Sequence, residues 1–157
     1  MKIGILTFHR PINYGAFLQS YGLSNRLKKD FPMAEIEIID YIAPKENKKI
    51  YRTILSRLKR SGFLGALTEI KKISVFKNAL NCLSLSKQYI CTDDLNKLYS
   101  FIDANYNLLV IGSDAVFNWN QNGYPTAFIP QYNFSIPVIT YAASVHGLKY
   151  YDEQQNE

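Results

Sequence analysis

The sequence predicts an α/β fold in which about four parallel strands carry helices on their flanks. Three observations lead there. An apolar segment, a helical segment and a second apolar segment follow one another within the first 41 residues, the pattern of a βαβ unit that crosses right-handed to a parallel neighbour. The most apolar stretch of the chain, Leu108, Leu109, Val110 and Ile111, runs straight into Gly112-Ser113-Asp114. A further apolar stretch over residues 136–141 ends in Ala142-Ala143-Ser144. The length of 157 residues is that of one ordinary domain.

Residues 2–8 read as a buried strand, with Ile3, Ile5, Leu6 and Phe8 and no proline. Residues 9–15 are a loop: Pro11 biases Arg10 away from helix, and Asn13 and Gly15 tolerate tight backbone geometry. Residues 16–29 have helical spacing in Phe17, Leu18, Tyr21, Leu23 and Leu27, and Arg26, Lys28 and Lys29 suit the negative end of the helix. Residues 35–41 form the second strand. Residues 45–81 are a basic helical insertion, broken near Ser61-Gly62 and again near Gly65. Thr92-Asp93-Asp94 resembles an N-cap with acids in the first turn, leading a helix to about Ala104. The strands over 107–112 and 136–141 are separated by an irregular stretch rich in Asn, Gln, aromatics and proline. Residues 1–146 thus make the domain, and residues 147–157 are a polar tail without core.

Composition narrows the function classes. With 47% apolar and 20% charged residues the chain is globular, not disordered or fibrous. No apolar run approaches the roughly 20 residues of a membrane span, and the start lacks the apolar core of a secretory signal. A cytoplasmic protein is expected. Cys82 and Cys91, with only His9 and His146 as further soft ligands, match no zinc spacing. They are expected as buried or half-buried thiols, and no metal site is expected. Between Lys45 and Lys77 there are ten Lys or Arg and two Glu, a net of +8 within a chain of +5. No RNA-binding signature accompanies this block, so nucleic acid is not an expected partner. Ile50, Ile54, Leu55 and Leu58 recur through it, as on a solvated amphipathic helix; a helix lying on an anionic membrane surface is the alternative.

In an open parallel sheet, ligands bind beyond the carboxyl ends of the strands, where strand order reverses. Three polar segments fall at such ends, which places Asn13, Gly15, Ser113, Asp114 and Ser144 on one rim. Each has a plainer role. Asn13-Tyr14-Gly15 could be only a turn before a helix, or could let a ligand approach backbone N–H groups. Gly112-Ser113-Asp114 could cap a helix, or Asp114 could bind sugar hydroxyls or act as a base. His9 and His146 could transfer protons or be structural. Dinucleotide, P-loop and serine-hydrolase motifs are lacking.

At these segments the chain resembles the polysaccharide pyruvyl transferase family. The likeness lies in Lys2-Ile3-Gly4-Ile5-Leu6-Thr7-Phe8-His9, in Asn13-Tyr14-Gly15-Ala16 with Leu18-Gln19 and Tyr21, and in Ile38-Ile39-Asp40-Tyr41. It continues in Val110-Ile111-Gly112-Ser113-Asp114 and Tyr141-Ala142-Ala143-Ser144. In the family's usual Gly-Ser-Asp-Gln-Val-Trp-Asn run, Ala115 here replaces the glutamine and Phe117 the tryptophan, with Asn118 retained. An amide and an indole N–H are thereby lost as ligand contacts.

The resemblance implies a Rossmann-like parallel sheet with flanking helices, one half of a two-domain fold like that of GT-B glycosyltransferases. It implies pyruvyl transfer from phosphoenolpyruvate, without a cofactor, to a saccharide or lipid-linked saccharide in cell-surface or exopolysaccharide biosynthesis. The expected setting is the cytoplasm, extending to the inner membrane face. Asp114 and His9 would be the catalytic groups, and Asn13, Tyr14, Gly15, Gln19, Gly112, Ser113, Asn118 and Ser144 would bind substrate. Family members are longer, so this half is expected to be inactive alone. Two other classes stay open: a nucleotide-sugar glycosyltransferase, and a non-catalytic module binding a saccharide or an anionic surface. The aromatic stretch over 117–134, with Trp119, Tyr124, Phe128 and Tyr132, is expected to leave an exposed face and a weak homodimer.

Overall fold

A computed structural model describes residues 1–118 and 126–145, with Ile50 and Asp114 described by backbone alone. The elements in chain order are β1 (Lys2–Leu6), α1 (Tyr14–Asp30), β2 (Glu35–Ile38), β3 (Tyr41–Ile42) and α2 (Pro44–Leu80). They continue with β4 (Ile90–Cys91), α3 (Leu95–Asn105), β5 (Leu108–Asp114) and β6 (Val138–Ala143). Strands β2-β1-β5-β6 form a four-stranded sheet in that order, and every pairing in it is parallel. The fold is therefore α/β and Rossmann-like.

Alternation along the strands builds a core on each face. Ile3 and Ile5 of β1 and Val110 of β5 point to one side, where they pack with Leu23 of α1 and Phe76 and Leu80 of α2. Leu6 of β1 and Leu109 and Ile111 of β5 point to the other, against Leu98, Tyr99 and Ile102 of α3. Each fully buried Ile or Leu contributes about 1.5–3 kcal/mol. Gly4 sits where a Cβ would come within 2.8 Å of the Tyr106 ring, so a larger residue would push α3's end away from the sheet.

The expected second strand divides. After Ile39 the chain leaves β1: the N–H of Asp40 bonds to Ser86 Oγ at 2.9 Å, and Tyr41 and Ile42 pair with Ile90 and Cys91 in a separate two-stranded sheet. Periodicity alone shows no such change of partner. The first helix starts two residues earlier than expected because Asn13 caps it, and the last strand is displaced to Val138–Ala143. Helix α2 breaks at Gly62, whose φ of 62° and ψ of −160° are non-helical, while Gly65 continues the helix.

Two expectations on exposure are corrected. Cys82 and Cys91 are both exposed, since each lies outside the two apolar clusters. The described rings of the aromatic stretch fold back onto their own domain: Phe128 is buried and lies 4.4 Å from Phe8, while Tyr132 and Phe134 pack on Tyr99 at 5.6 and 5.5 Å. Trp119, Tyr124, His146 and the tail 147–157 lie outside the described residues. Among the described residues no helix is long and apolar enough to cross a membrane.

Candidate functional site

Strand β1 lies between β2, to which α1 leads, and β5, reached later in the chain on the opposite side. Connections leaving in opposite directions open a crevice at the carboxyl ends of β1 and β5. There Thr7 Oγ1 donates to the carbonyl oxygen of Ser113 at 3.4 Å, tying the two strand ends together. Gly112 has φ of 121°, and a Cβ on it would stand 2.2 Å from the carbonyl oxygen of Tyr141 on β6. Glycine is therefore required on both conformational and steric grounds. The Gly112–Ser113 peptide is cis. Ser113 is only 5% exposed, and its Oγ is buried without a hydrogen-bond partner in the structure. An unpaired buried hydroxyl costs free energy and calls for an explanation.

Beside the crevice, β1 and β2 deliver a charged cluster. His9 is fully buried; its Nδ1 lies 3.2 Å from the carbonyl oxygen of Thr7 and its Nε2 3.1 Å from Asp40 Oδ1. Arg10 donates from Nε to Asp40 Oδ1 at 2.6 Å and from Nη2 to Oδ2. The guanidinium also lies over the Tyr89 ring, 5.0 Å from its centroid. Burial by itself would raise the Asp40 carboxyl; the hydrogen bonds from His9 and Arg10, with their charge, overcome it and hold the group below the ordinary carboxylate value. His9 thus stands behind the rim as a partner of Asp40, with neither ring nitrogen facing solvent.

The loop over residues 9–15 leads into α1 through a cap. Asn13 Oδ1 accepts from the N–H groups of Gly15 and Ala16 at 2.9 and 3.2 Å, so these amides already have a partner. Ser20, fully buried, donates to the carbonyl oxygens of Ala16 and Phe8 at 2.8 and 3.1 Å and fixes α1 against the end of β1. Asn13, Tyr14, Gly15 and Gln19 are exposed. Tyr14 packs edge-on against Phe76 at 5.8 Å. It borders an open groove of about 550 Å³ towards α2, where Lys49, Arg57 and Lys72 alternate with Glu46 and Glu69.

The remaining sequence candidates lie along β5 and β6. Gly112 pairs with Tyr141 and Asp114 with Ala143. Beyond the strands, the N–H of Phe117 donates to the carbonyl oxygen of Ser144 at 3.1 Å. Asn118 is buried and Ser144 exposed. Parallel pairing brings Ser113, Asp114 and Ser144 to the edge of the sheet from which the 9–15 loop also departs. Ser113 continues β5 and caps no helix. Sequence reasoning missed Thr7, Asp40 and Ser86. Asp40 closes the Ile38-Ile39-Asp40-Tyr41 segment at the end of β2, and an acid there, opposite His9-Arg10 at the end of β1, was the available signal. Among the described residues no group of three or more His, Cys, Asp or Glu is placed to hold a metal ion.

A four-stranded parallel sheet with helices on both faces and a reversal of strand order at β1 and β5 defines a Rossmann-like domain. The family model of polysaccharide pyruvyl transferase matches residues 13–156. The chain belongs to that family, a family of transferases. No curated protein and no solved structure matches the chain.

Proposed function

We propose that this domain serves pyruvyl transfer from phosphoenolpyruvate to hydroxyls of a saccharide or lipid-linked saccharide, in cell-surface or exopolysaccharide biosynthesis. The observation that carries the reading is Ser113: a buried, unpartnered Oγ at the switch point, in a chain of this family. Ketal formation needs a proton delivered to the enol carbon, capture of the resulting cation by a sugar hydroxyl, loss of phosphate, and closure by a second hydroxyl. Of the two hydroxyl protons released, one balances the proton added to carbon and the other leaves with phosphate.

Asp114, at the end of β5, is assigned as the carboxylate that receives a hydroxyl proton. Ser113, Asn118 and Ser144 position the acceptor, with Asn13, Tyr14, Gly15 and Gln19 on the neighbouring rim. His9 acts through Asp40 as a positioning residue. The donor carries phosphate and carboxylate, which call for cations. Arg10, the cation on the 9–15 loop, already has two nitrogens committed to Asp40, and Arg57 and Lys72 in the groove beside Tyr14 pair with Glu69. The donor-binding cations are therefore assigned to a second half, in a two-lobed arrangement like that of GT-B enzymes, and the domain alone is expected to be inactive.

A form of the protein that includes a second half is expected to release phosphate from phosphoenolpyruvate and add pyruvate to its acceptor, both followed by mass spectrometry. Consumption of a nucleotide sugar in place of phosphoenolpyruvate would overturn the reading.

A further inference from the structure

Helix α2 carries a surface that the transfer chemistry does not use. In its second half the stripe Ala66, Ile73, Phe76 and Leu80 is buried against the domain. On the outer side, Phe63 is 75% and Leu64 76% exposed, and Leu67 and Ile70 continue the same stripe in the open. Leu55 and Leu58 are likewise exposed just before the break at Gly62. Apolar side chains so grouped at a helix bend normally mark a contact surface.

The charge around the bend says what kind of surface meets it. Residues 45–77 carry a net +8. Lys59, Arg60 and Lys71 are exposed; Arg57 and Lys72 are exposed too but pair with Glu69. A second copy of the chain would bring the same positive charge to the contact and repel it. An anionic bilayer both covers the apolar rings and branches and neutralises the cations, each basic residue near such a surface adding about 1 kcal/mol.

We propose that the bend of α2 docks on an anionic lipid bilayer, with Phe63 and Leu64 in the acyl–headgroup boundary and Lys59, Arg60 and Lys71 on the headgroups. This is independent of the transfer reaction and holds or fails separately from it. The test is co-sedimentation of the 157-residue chain with vesicles of equal parts phosphatidylglycerol and phosphatidylcholine, and with phosphatidylcholine alone. Binding to the mixed vesicles only, weakening with added salt, is expected. The double variant F63S/L64S should weaken that binding at least about tenfold, and K59E/R60E should remove the preference for anionic lipid. These side chains are exposed, so circular dichroism should show both variants folded. No binding by the parent chain, or equal binding by all three proteins, overturns the proposal. So does a lipid-free dimer that F63S/L64S abolishes, which would give the surface to a second copy.

Discussion

Arg10 and Asp40 meet in a two-point contact across the ends of neighbouring strands, one guanidinium nitrogen on each carboxylate oxygen. Asp40 is buried while about a quarter of the Arg10 side chain stays in solvent. The pair therefore closes the end of the β1–β2 unit from the outside, and His9 closes it from within. Removing one member strands the others. Asp40→Ala is expected to cost about 3 kcal/mol, the lower part of the range for breaking a buried pair because Arg10 can turn to water. Denaturant unfolding checks it.

The same pair sets an acid dependence. Asp40 titrates below its ordinary value in the folded chain, so its pairing stabilises fully above the unfolded value of about 3.9 and is lost as pH falls through the folded value. The acid limb of the stability profile below about pH 4 should be shallower in Asp40→Asn than in the parent. Identical limbs would show that Asp40 does not contribute.

Two glycines should respond oppositely. Gly112→Ala places a methyl group 2.2 Å from the Tyr141 carbonyl at a φ of 121°, and a loss of about 4 kcal/mol or failure to fold is expected. Gly22, exposed within α1, has nothing within 4 Å of where its Cβ would stand. Gly22→Ala should stabilise by about 0.5–1 kcal/mol. Melting temperatures of the two variants decide both.

Ser113→Ala separates stability from function. Its Oγ makes no hydrogen bond in the structure, so deletion should leave stability unchanged or raise it by up to about 1 kcal/mol. Acceptor affinity should fall about tenfold, as for loss of a single ligand hydrogen bond. Calorimetric titration with the saccharide acceptor measures it; unchanged affinity would remove Ser113 from the site.

Asn13→Ala should cost about 1 kcal/mol, since its side chain caps two amides of α1. Asn13→Asp should retain the cap. Thermal melts of the pair separate capping from any general effect of the loop.

Much of this was legible from neighbours in sequence. The alternating apolar residues of β1, the continuous run of β5, the parallel βαβ unit, the break at Gly62 and a cap for α3 within Thr92-Asp93-Asp94 were all readable, though Asp94 is itself the cap and the first turn holds no acid. Each depends on interactions within a few residues: period-two or period-3.6 exposure, a side chain reaching a nearby amide, or a glycine that tolerates positive φ. The common edge of Ser113, Asp114 and Ser144 was legible too, because parallel strands share their carboxyl ends.

What the tertiary structure decided was which partners distant segments meet. Asp40 is joined to His9 and Arg10 only because β1 and β2 pair in register, Ile5 opposite Ile38. The second strand divides because Ser86 and Ile90, from far along the chain, take its backbone groups. The sequence by itself determined the three helices, the four strand segments of the main sheet and where the rim lies, since those follow from local periodicity and chain direction. The small sheet of β3 and β4 was not among them. Only the tertiary structure decided that His9 is buried, that both cysteines are exposed and that Phe63 and Leu64 face outward. The physical reason is that burial is a property of what packs against a side chain, and that surface comes from residues the local pattern does not contain.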